Sequence, residues 1–217
     1  MKKILIIGAG GFGKELYGYI SQDIQNDILK DIEIKGFLDI SEKSFQKLNI
    51  ETSFLGSEDT YEIEEEDYFL IAIGVTSIRK NVYENMLKRG AKFYTYIHST
   101  AIIDSSATIG CGSIICPFSI VNSQSKIGKN CALNIYSSVG HDSSVGSHSI
   151  LSPYASLNGD VQTGDNLFMG TRSTILLGSI LGAKCIVSAH SVVKGKIGDN
   201  YMFKDKVSQI KIKNRLI

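Results

Sequence analysis

From Ile97 to Val193 a large apolar residue recurs at every sixth position. The series is Ile97, Ile103, Ile109, Ile115, Val121, Ile127, Leu133, Val139, Val145, Leu151, Leu157, Thr163, Met169, Ile175, Leu181, Val187 and Val193, and only Thr163 is polar. Two residues before most of these stands a small one: Ala101, Ser113, Ser119, Ser125, Cys131, Ser143, Ala155, Ser173 and Cys185 are examples, with Val161 and Leu167 as larger exceptions. A period of six fits neither a helix nor an ordinary strand. It fits a solenoid whose coil has three flat faces, each built from one hexapeptide. The large apolar residue then points into the prism, and the small one sits inward near a corner. Gly110, Gly128, Gly146, Gly164 and Gly182 follow the apolar residue at eighteen-residue intervals. Glycine there suits turns of unusual φ and ψ. Roughly five coils stacked at about 4.8 Å would make a prism on the order of 25 Å tall.

The rest of the chain is read around this block. Residues 3–7 form an apolar strand that runs into Gly8-Ala9-Gly10-Gly11-Phe12-Gly13, followed by a helical pattern from Lys14 to Ile20. A G-x-G-x-x-G between strand and helix allows a tight turn, close approach to a phosphate, and free N–H groups at the helix start. A second strand, residues 32–38, ends in Asp39, where an acid can accept hydrogen bonds from a ribose or base. Residues 52–56 make at best a short strand, and 62–67 an acidic, solvated stretch. A third buried strand at 68–73 ends at Gly74. Residues 77–89 read as an amphipathic helix with Ile78, Val82 and Met86 on its inner side, and 92–97 as the last strand before the solenoid. The organisation is therefore an α/β domain over 1–97 with a small parallel sheet, a β-solenoid over 98–193, and a basic cap or tail over 194–217. The first domain is about half of a full dinucleotide-binding fold, so a mononucleotide or nucleotide-sugar site is expected rather than NAD. A second possibility is that the glycines serve only strand–helix packing.

Charge is nearly balanced, +1 with neutral histidine, and no dense basic block stands out, which argues against nucleic acid or an anionic membrane as the main partner. No segment reads as a signal peptide or a membrane span. Cys111, Cys116, Cys131 and Cys185 have no C-x-x-C spacing, and two of them fall on the small inward positions; a reduced, cytoplasmic protein is expected.

Four motifs carry a resemblance over nearly the whole chain: IIGAGGFGKE at 6–15, GFLD at 36–39, IAIG at 71–74 and NIYSSVGHD at 134–142. The chain resembles the bacterial nucleotide-sugar acetyltransferases of the sialic-acid O-acetyltransferase type, which include perosamine and bacillosamine-precursor N-acetyltransferases. The resemblance implies a left-handed parallel β-helix after a small Rossmann-like domain, acetyl-CoA as donor, and a UDP-, dTDP- or GDP-linked amino sugar as acceptor. It also implies a homotrimer with active sites between adjacent prisms, and products that feed O-antigen or lipopolysaccharide assembly; no metal is expected. Two departures stand out. Ile40 follows GFLD where members often carry a second acid, and Gly198-Asp199-Asn200-Tyr201-Met202 stands where many have G-N-P-A.

Amide formation from an amine and a thioester needs a base for the amine proton and donors for the oxyanion. Histidine suits the first task because imidazole titrates near neutral pH. Of His98, His141, His148 and His190, the resemblance selects His141 as general base, with Asp142 orienting its ring. It reads His98, at the domain junction, as structural. Gly159 lies eighteen residues after His141, one coil on, and should stack beside it. By resemblance the Gly159 N–H holds the thioester oxygen, and Asn134 is a candidate contact to the acceptor sugar. Gly8, Gly10, Gly11, Gly13, Asp39 and Gly74 are the candidate nucleotide-sugar site. A three-histidine zinc site of the γ-carbonic anhydrase type fits poorly, because His141 and His148 are seven apart and His190 is several coils away. O-acetylation of a sugar hydroxyl and a non-catalytic nucleotide-sugar-binding trimer are the alternative readings.

Overall fold

A computed structural model describes residues 1–205. Lys206, Lys211, Lys213 and Arg215, part of the expected basic tail, lie outside the described residues. The N-terminal part is a four-stranded parallel sheet of β1 (Lys2–Ile7), β2 (Ile32–Leu38), β3 (Asp67–Ile71) and β4 (Lys92–Phe93), in the order β2-β1-β3-β4. Helix α1 (Gly11–Gln25) connects β1 to β2, a short α2 (Glu42–Gln46) follows β2, and α3 (Thr76–Lys88) connects β3 to β4. Order reverses between β1 and β3, so their C-terminal ends open a crevice, the usual ligand position of such sheets. The expected strand at 52–56 is reduced to one bridge, Phe37 to Phe54.

The remainder is a three-sided solenoid of two-residue strands in three parallel sheets of seven, six and six. Partners lie eighteen residues apart, as in Ile115, Leu133, Leu151, Met169 and Val187 down one face. The apolar series from Ile115 to Val193 is buried throughout. Ile97, in the first rung, is 40% exposed, because no coil lies below it. The small inward positions explain the preference for serine. The hydroxyls of Ser113, Ser119, Ser125 and Ser143 each donate to the carbonyl fifteen residues on, at 2.6–3.0 Å. The row therefore buries hydroxyls with their hydrogen bonds made.

Several expectations change. The span 92–97 is not one strand: Lys92–Phe93 closes the first sheet, and Tyr96–Ile97 is the first rung of the solenoid. The repeat also runs on past Val193. Lys196–Ile197 pairs with Ile180–Leu181 and Met202–Phe203 with Ile186–Val187, so residues 194–203 are rungs rather than a cap outside the prism. The sixfold series missed them because the last coil is two residues shorter; Leu181 and Ile197 are sixteen apart. The prism thus exceeds five coils. The buried face of α3 is Arg79, Tyr83 and Met86, while Ile78 is exposed. Asp67, placed in a solvated acidic stretch, is fully buried; Lys35 Nζ donates to it at 2.9 Å and Tyr61 Oη at 2.8 Å.

The glycines after the apolar residues have a different cause from the one expected. Their φ values are not left-handed; instead a Cβ on Gly110 or Gly128 would stand 2.5 Å from backbone atoms of the next coil. The left-handed residues are elsewhere, at every sixth position from Phe118 through Gln124, Asn130, Tyr136 and Asp142 to His190, with φ of 51–71. These are the corners. Overpacking against backbone typically costs about 1–3 kcal/mol, so Gly128→Ala is expected to lower stability by that amount in chemical denaturation. An unchanged midpoint would mean that the coils part freely.

The two halves share a buried joint. Arg79, fully buried, donates from Nε to the Asn130 carbonyl at 2.7 Å, from Nη2 to that of Cys131 at 3.3 Å, and from Nη1 to that of Ile71. On the other side of the sheet, Asp23 accepts from Tyr96 Oη at 2.8 Å and Ser99 Oγ at 2.9 Å. His148 lies in the first joint: Asn130 and His148 contact at 3.0 Å, and Tyr83 meets its ring edge-on. Burial holds the His148 imidazole below its ordinary 6.5. In the unfolded chain it takes up a proton near that value and in the folded chain it resists, so its contribution is complete above about pH 6.5 and is lost as pH falls through the lower folded value. Denaturation at about pH 7 and about pH 5 should show a larger loss for the native chain than for His148→Gln; parallel losses would remove His148 from the account.

Candidate active site

Two groups of residues, on separate parts of the chain, make the site. The first is the crevice at the strand ends of the N-terminal sheet. Gly8 has φ +106 and closes the turn after β1. Its neighbours separate by role. A Cβ on Gly13 would collide with the Gly8 carbonyl, so Gly13 lets α1 close on β1. A Cβ on Gly10, Gly11 or Gly74 would meet nothing within 4 Å. Packing therefore does not account for these three; of the candidate residues, Gly8 and Asp39 line the crevice itself. No side chain caps the start of α1 at Gly10, so its first N–H groups stay available to an anion. Asp39 accepts from the Ala9 N–H at 2.7 Å through Oδ2 and from the Ser41 N–H at 2.8 Å through Oδ1. It thus ties the glycine loop to the end of β2, and its carboxylate keeps lone pairs for a ligand hydroxyl. Ile40, Ser41, Ser44 and Glu58 complete a crevice of about 360 Å³. Burial raises the Glu58 carboxyl above its ordinary range. No motif pointed to Glu58, because a single acid in a loop has no periodicity or spacing to mark it.

This division gives a direct test. Gly10→Val should weaken nucleotide-sugar binding at least about tenfold with an unchanged melting temperature, whereas Gly13→Ala should lower stability by about 1–3 kcal/mol. Binding calorimetry and thermal denaturation check the pair; a Gly10→Val chain that melts early would return Gly10 to packing.

The second group lies at a corner of the prism. His141 stands just before the left-handed residue Asp142, and the His141 Nδ1 and Asp142 Oδ2 lie 2.8 Å apart. Both side chains are open to solvent, at 59% and 60%. A carboxylate on Nδ1 leaves Nε2 as the free face of the ring. Gly159 sits against that ring, as the eighteen-residue spacing predicts: a Cβ on Gly159 would press first on His141 Nε2 and stand 2.6 Å from Cε1. At a different corner of the prism the equivalent N–H is taken by a side chain one coil on. Lys129 N donates to Ser147 Oγ at 3.2 Å, and Ser147 N to Asp165 Oδ1 at 2.7 Å. One coil beyond Gly159 stands Leu177, which offers no acceptor. The Gly159 N–H has no acceptor among the described residues. A base with a free nitrogen and an unpaired backbone donor thus meet at one point on the surface.

Asn134 is half-buried, and its Oδ1 accepts from the Ile135 N–H at 2.8 Å, which leaves its amide NH₂ to donate. It lies a corner away from His141. His98 is buried at the joint, where its Nδ1 accepts from the Thr100 N–H at 3.1 Å. His148 occupies a different corner from His141. Among the described residues no three His, Cys, Asp or Glu side chains gather as a metal site would require, and no helix is long and apolar enough to cross a membrane.

Known proteins match both halves. Residues 3–86 match the PglD N-terminal domain family. GDP-perosamine N-acetyltransferase of Escherichia coli O157:H7 is 30% identical over 185 residues, covering 80% of this chain and 77% of its own length. The chain belongs to the nucleotide-sugar N-acetyltransferases. Among solved structures, the acetyltransferase domain of PglB from Neisseria gonorrhoeae FA1090, in complex with acetyl coenzyme A, is 25% identical with a TM-score of 0.75, over 91% of this chain and 93% of that one. PerB from Caulobacter crescentus, in complex with CoA and GDP-perosamine, is 22% identical with a TM-score of 0.77, covering 93% of each chain. At that identity PerB speaks for the fold. This nucleotide-sugar N-acetyltransferase therefore has the expected small α/β region and left-handed parallel β-helix.

Proposed function

We propose that this enzyme moves the acetyl group of acetyl-CoA to the amine of a nucleotide-linked amino-dideoxy sugar, a 4-amino-4,6-dideoxyhexose, with His141 as general base. The observation that carries the proposal is the meeting of the His141–Asp142 pair with the stacked, unpaired Gly159. His141 Nε2 accepts a proton from the sugar amine as its nitrogen bonds to the thioester carbon. The Gly159 N–H donates to the oxygen that becomes negative. As the tetrahedral intermediate collapses, the C–S bond breaks and the thiolate takes up a proton. Asp142 holds the Nδ1–H tautomer and offsets the charge on the imidazolium. The ring nitrogen does the acid–base work, and no acyl-enzyme is required.

The nucleotide-sugar crevice and His141 lie on different sides of one chain. The N-terminal domain packs on the seven-stranded face, through Tyr96, Ile114 and Cys116. His141 stands at the corner between the two six-stranded faces. An acceptor held at Gly10 and Asp39 therefore reaches a His141 most directly on another copy. This supports a homotrimer with sites between adjacent prisms, in which Asn134 contacts the acceptor sugar. The acetylated product would suit O-antigen or lipopolysaccharide assembly.

The test is thiol release from acetyl-CoA across UDP-, dTDP- and GDP-linked 4-amino-4,6-dideoxy sugars, with 3-amino and hydroxyl acceptors alongside. Release with one 4-amino nucleotide sugar is expected. Release with a hydroxyl acceptor alone would make the enzyme an O-acetyltransferase, and silence with all acceptors would overturn the reading.

A further inference from the structure

We propose that a second cleft, between α3 and the upper coils of the prism, binds a sugar phosphate. The cleft has a volume of about 440 Å³, within the range of small-molecule sites. It is separate from the crevice at Gly10 and Asp39 and lies on the other side of the turn that leads into α3.

Three observations converge on it. Thr76 and Ser77, the first turn of the thirteen-residue α3, line one wall. The helix start carries no side-chain cap and no acid in its first turn, so its orphan N–H groups and its positive end are open to an anion. Lys80 and Lys184 line the same cleft. Lys80 spends part of its charge on Glu84 at 3.6 Å, whereas Lys184 has no ion pair among the described residues. The third observation is independent of charge. Asn166 lines the cleft, is only 7% exposed, and its buried Oδ1 has no hydrogen-bond partner. A buried carboxamide oxygen without a partner has lost its water and gained nothing in return, a deficit that a ligand hydroxyl would relieve. The chain places Asn166 at a left-handed corner, φ 59, directly one coil above His148 and the buried joint.

The chemistry selects the ligand. The helix start and Lys184 suit a phosphate. Asn166, together with Asn81 and Glu84 on the same face of α3, suits hydroxyl groups, and Ile186 offers an apolar wall for the C–H face of a sugar ring. Two sources carry this chemistry: a free sugar phosphate, and the sugar–diphosphate end of the nucleotide sugar itself.

Calorimetric titration of the full chain with α-D-glucose 1-phosphate tests the site without any acetyl transfer, so its failure and that of the catalytic reading are distinct. Saturable binding is expected, weakened at least about tenfold by Lys184→Glu at the exposed rim and by the isosteric Asn166→Asp, and unchanged by Asp39→Ala. Titration with a nucleotide sugar then assigns the source. Weakening by Lys184→Glu as well as Asp39→Ala places its diphosphate end in the cleft; weakening by Asp39→Ala alone leaves the cleft to a separate sugar phosphate. Absence of glucose 1-phosphate binding, or binding lost with Asp39→Ala and kept in both cleft variants, would overturn the proposal.

Discussion

Replacing His141 by alanine is expected to lower kcat by about 10²–10⁴-fold, the usual contribution of a positioned general base. KM for acetyl-CoA should change little, because the ring is assigned to the proton and not to the thioester. Stability should not change: the side chain is 59% exposed, and among the described residues its one side-chain hydrogen-bond partner is Asp142, itself 60% exposed. Loss of activity in a chain that melts normally is therefore the signature. Asp142→Asn keeps a group of the same size beside Nδ1 and removes the charge, so a smaller loss in the same direction is expected. Thiol release measured with the preferred acceptor checks both. Residual turnover within about tenfold of the native enzyme would move the base elsewhere and leave His141 an ordinary surface residue.

The period of six was legible because it is a steric demand repeated at every coil: one large inward residue, one small one. The same demand made Gly159 predictable from His141, since stacking depends only on the count of residues per coil. What escaped the sequence has no period or lies against it. Arg79 is a charged residue on a helix whose apolar residues suggested another buried face; three backbone carbonyls from two domains hold it, and carbonyls leave no mark in a sequence. Asp67 sits among acids that are exposed, and its burial depends on Lys35 and Tyr61, thirty-two and six residues away. The left-handed corners do have a period of six. They were hidden because aromatic, acidic and basic side chains occupy most of them from Phe118 to His190, and the recognisable glycine or asparagine stands only at Asn130, Asn166 and Gly178. In the nucleotide crevice the motif was visible but its division of labour was not. Only the space around each glycine separates Gly13, which packs, from Gly10 and Gly11, which do not.

Gly159→Ala is expected to cost about 10²-fold in kcat by misplacing the base, although alanine keeps the N–H that is proposed to bind the oxyanion. The added Cβ would press on His141 Nε2 itself and stand 2.6 Å from Cε1 and 3.0 Å from Cδ2. The ring is exposed and held by one side-chain contact, so it will swing aside more readily than the coil backbone will move. The melting temperature should therefore stay close to that of the native chain, in contrast to Gly128→Ala, whose Cβ would meet backbone. The double variant decides between two causes. If the methyl acts by displacing the ring, Gly159→Ala placed in a His141→Ala background should lose little more, within about tenfold, because the ring it displaces is already gone. If it acts by holding the acetyl group away from the backbone, the two losses should multiply. Strong non-additivity is the expected outcome, and it would identify Gly159 as the residue whose lack of a side chain keeps the general base in place.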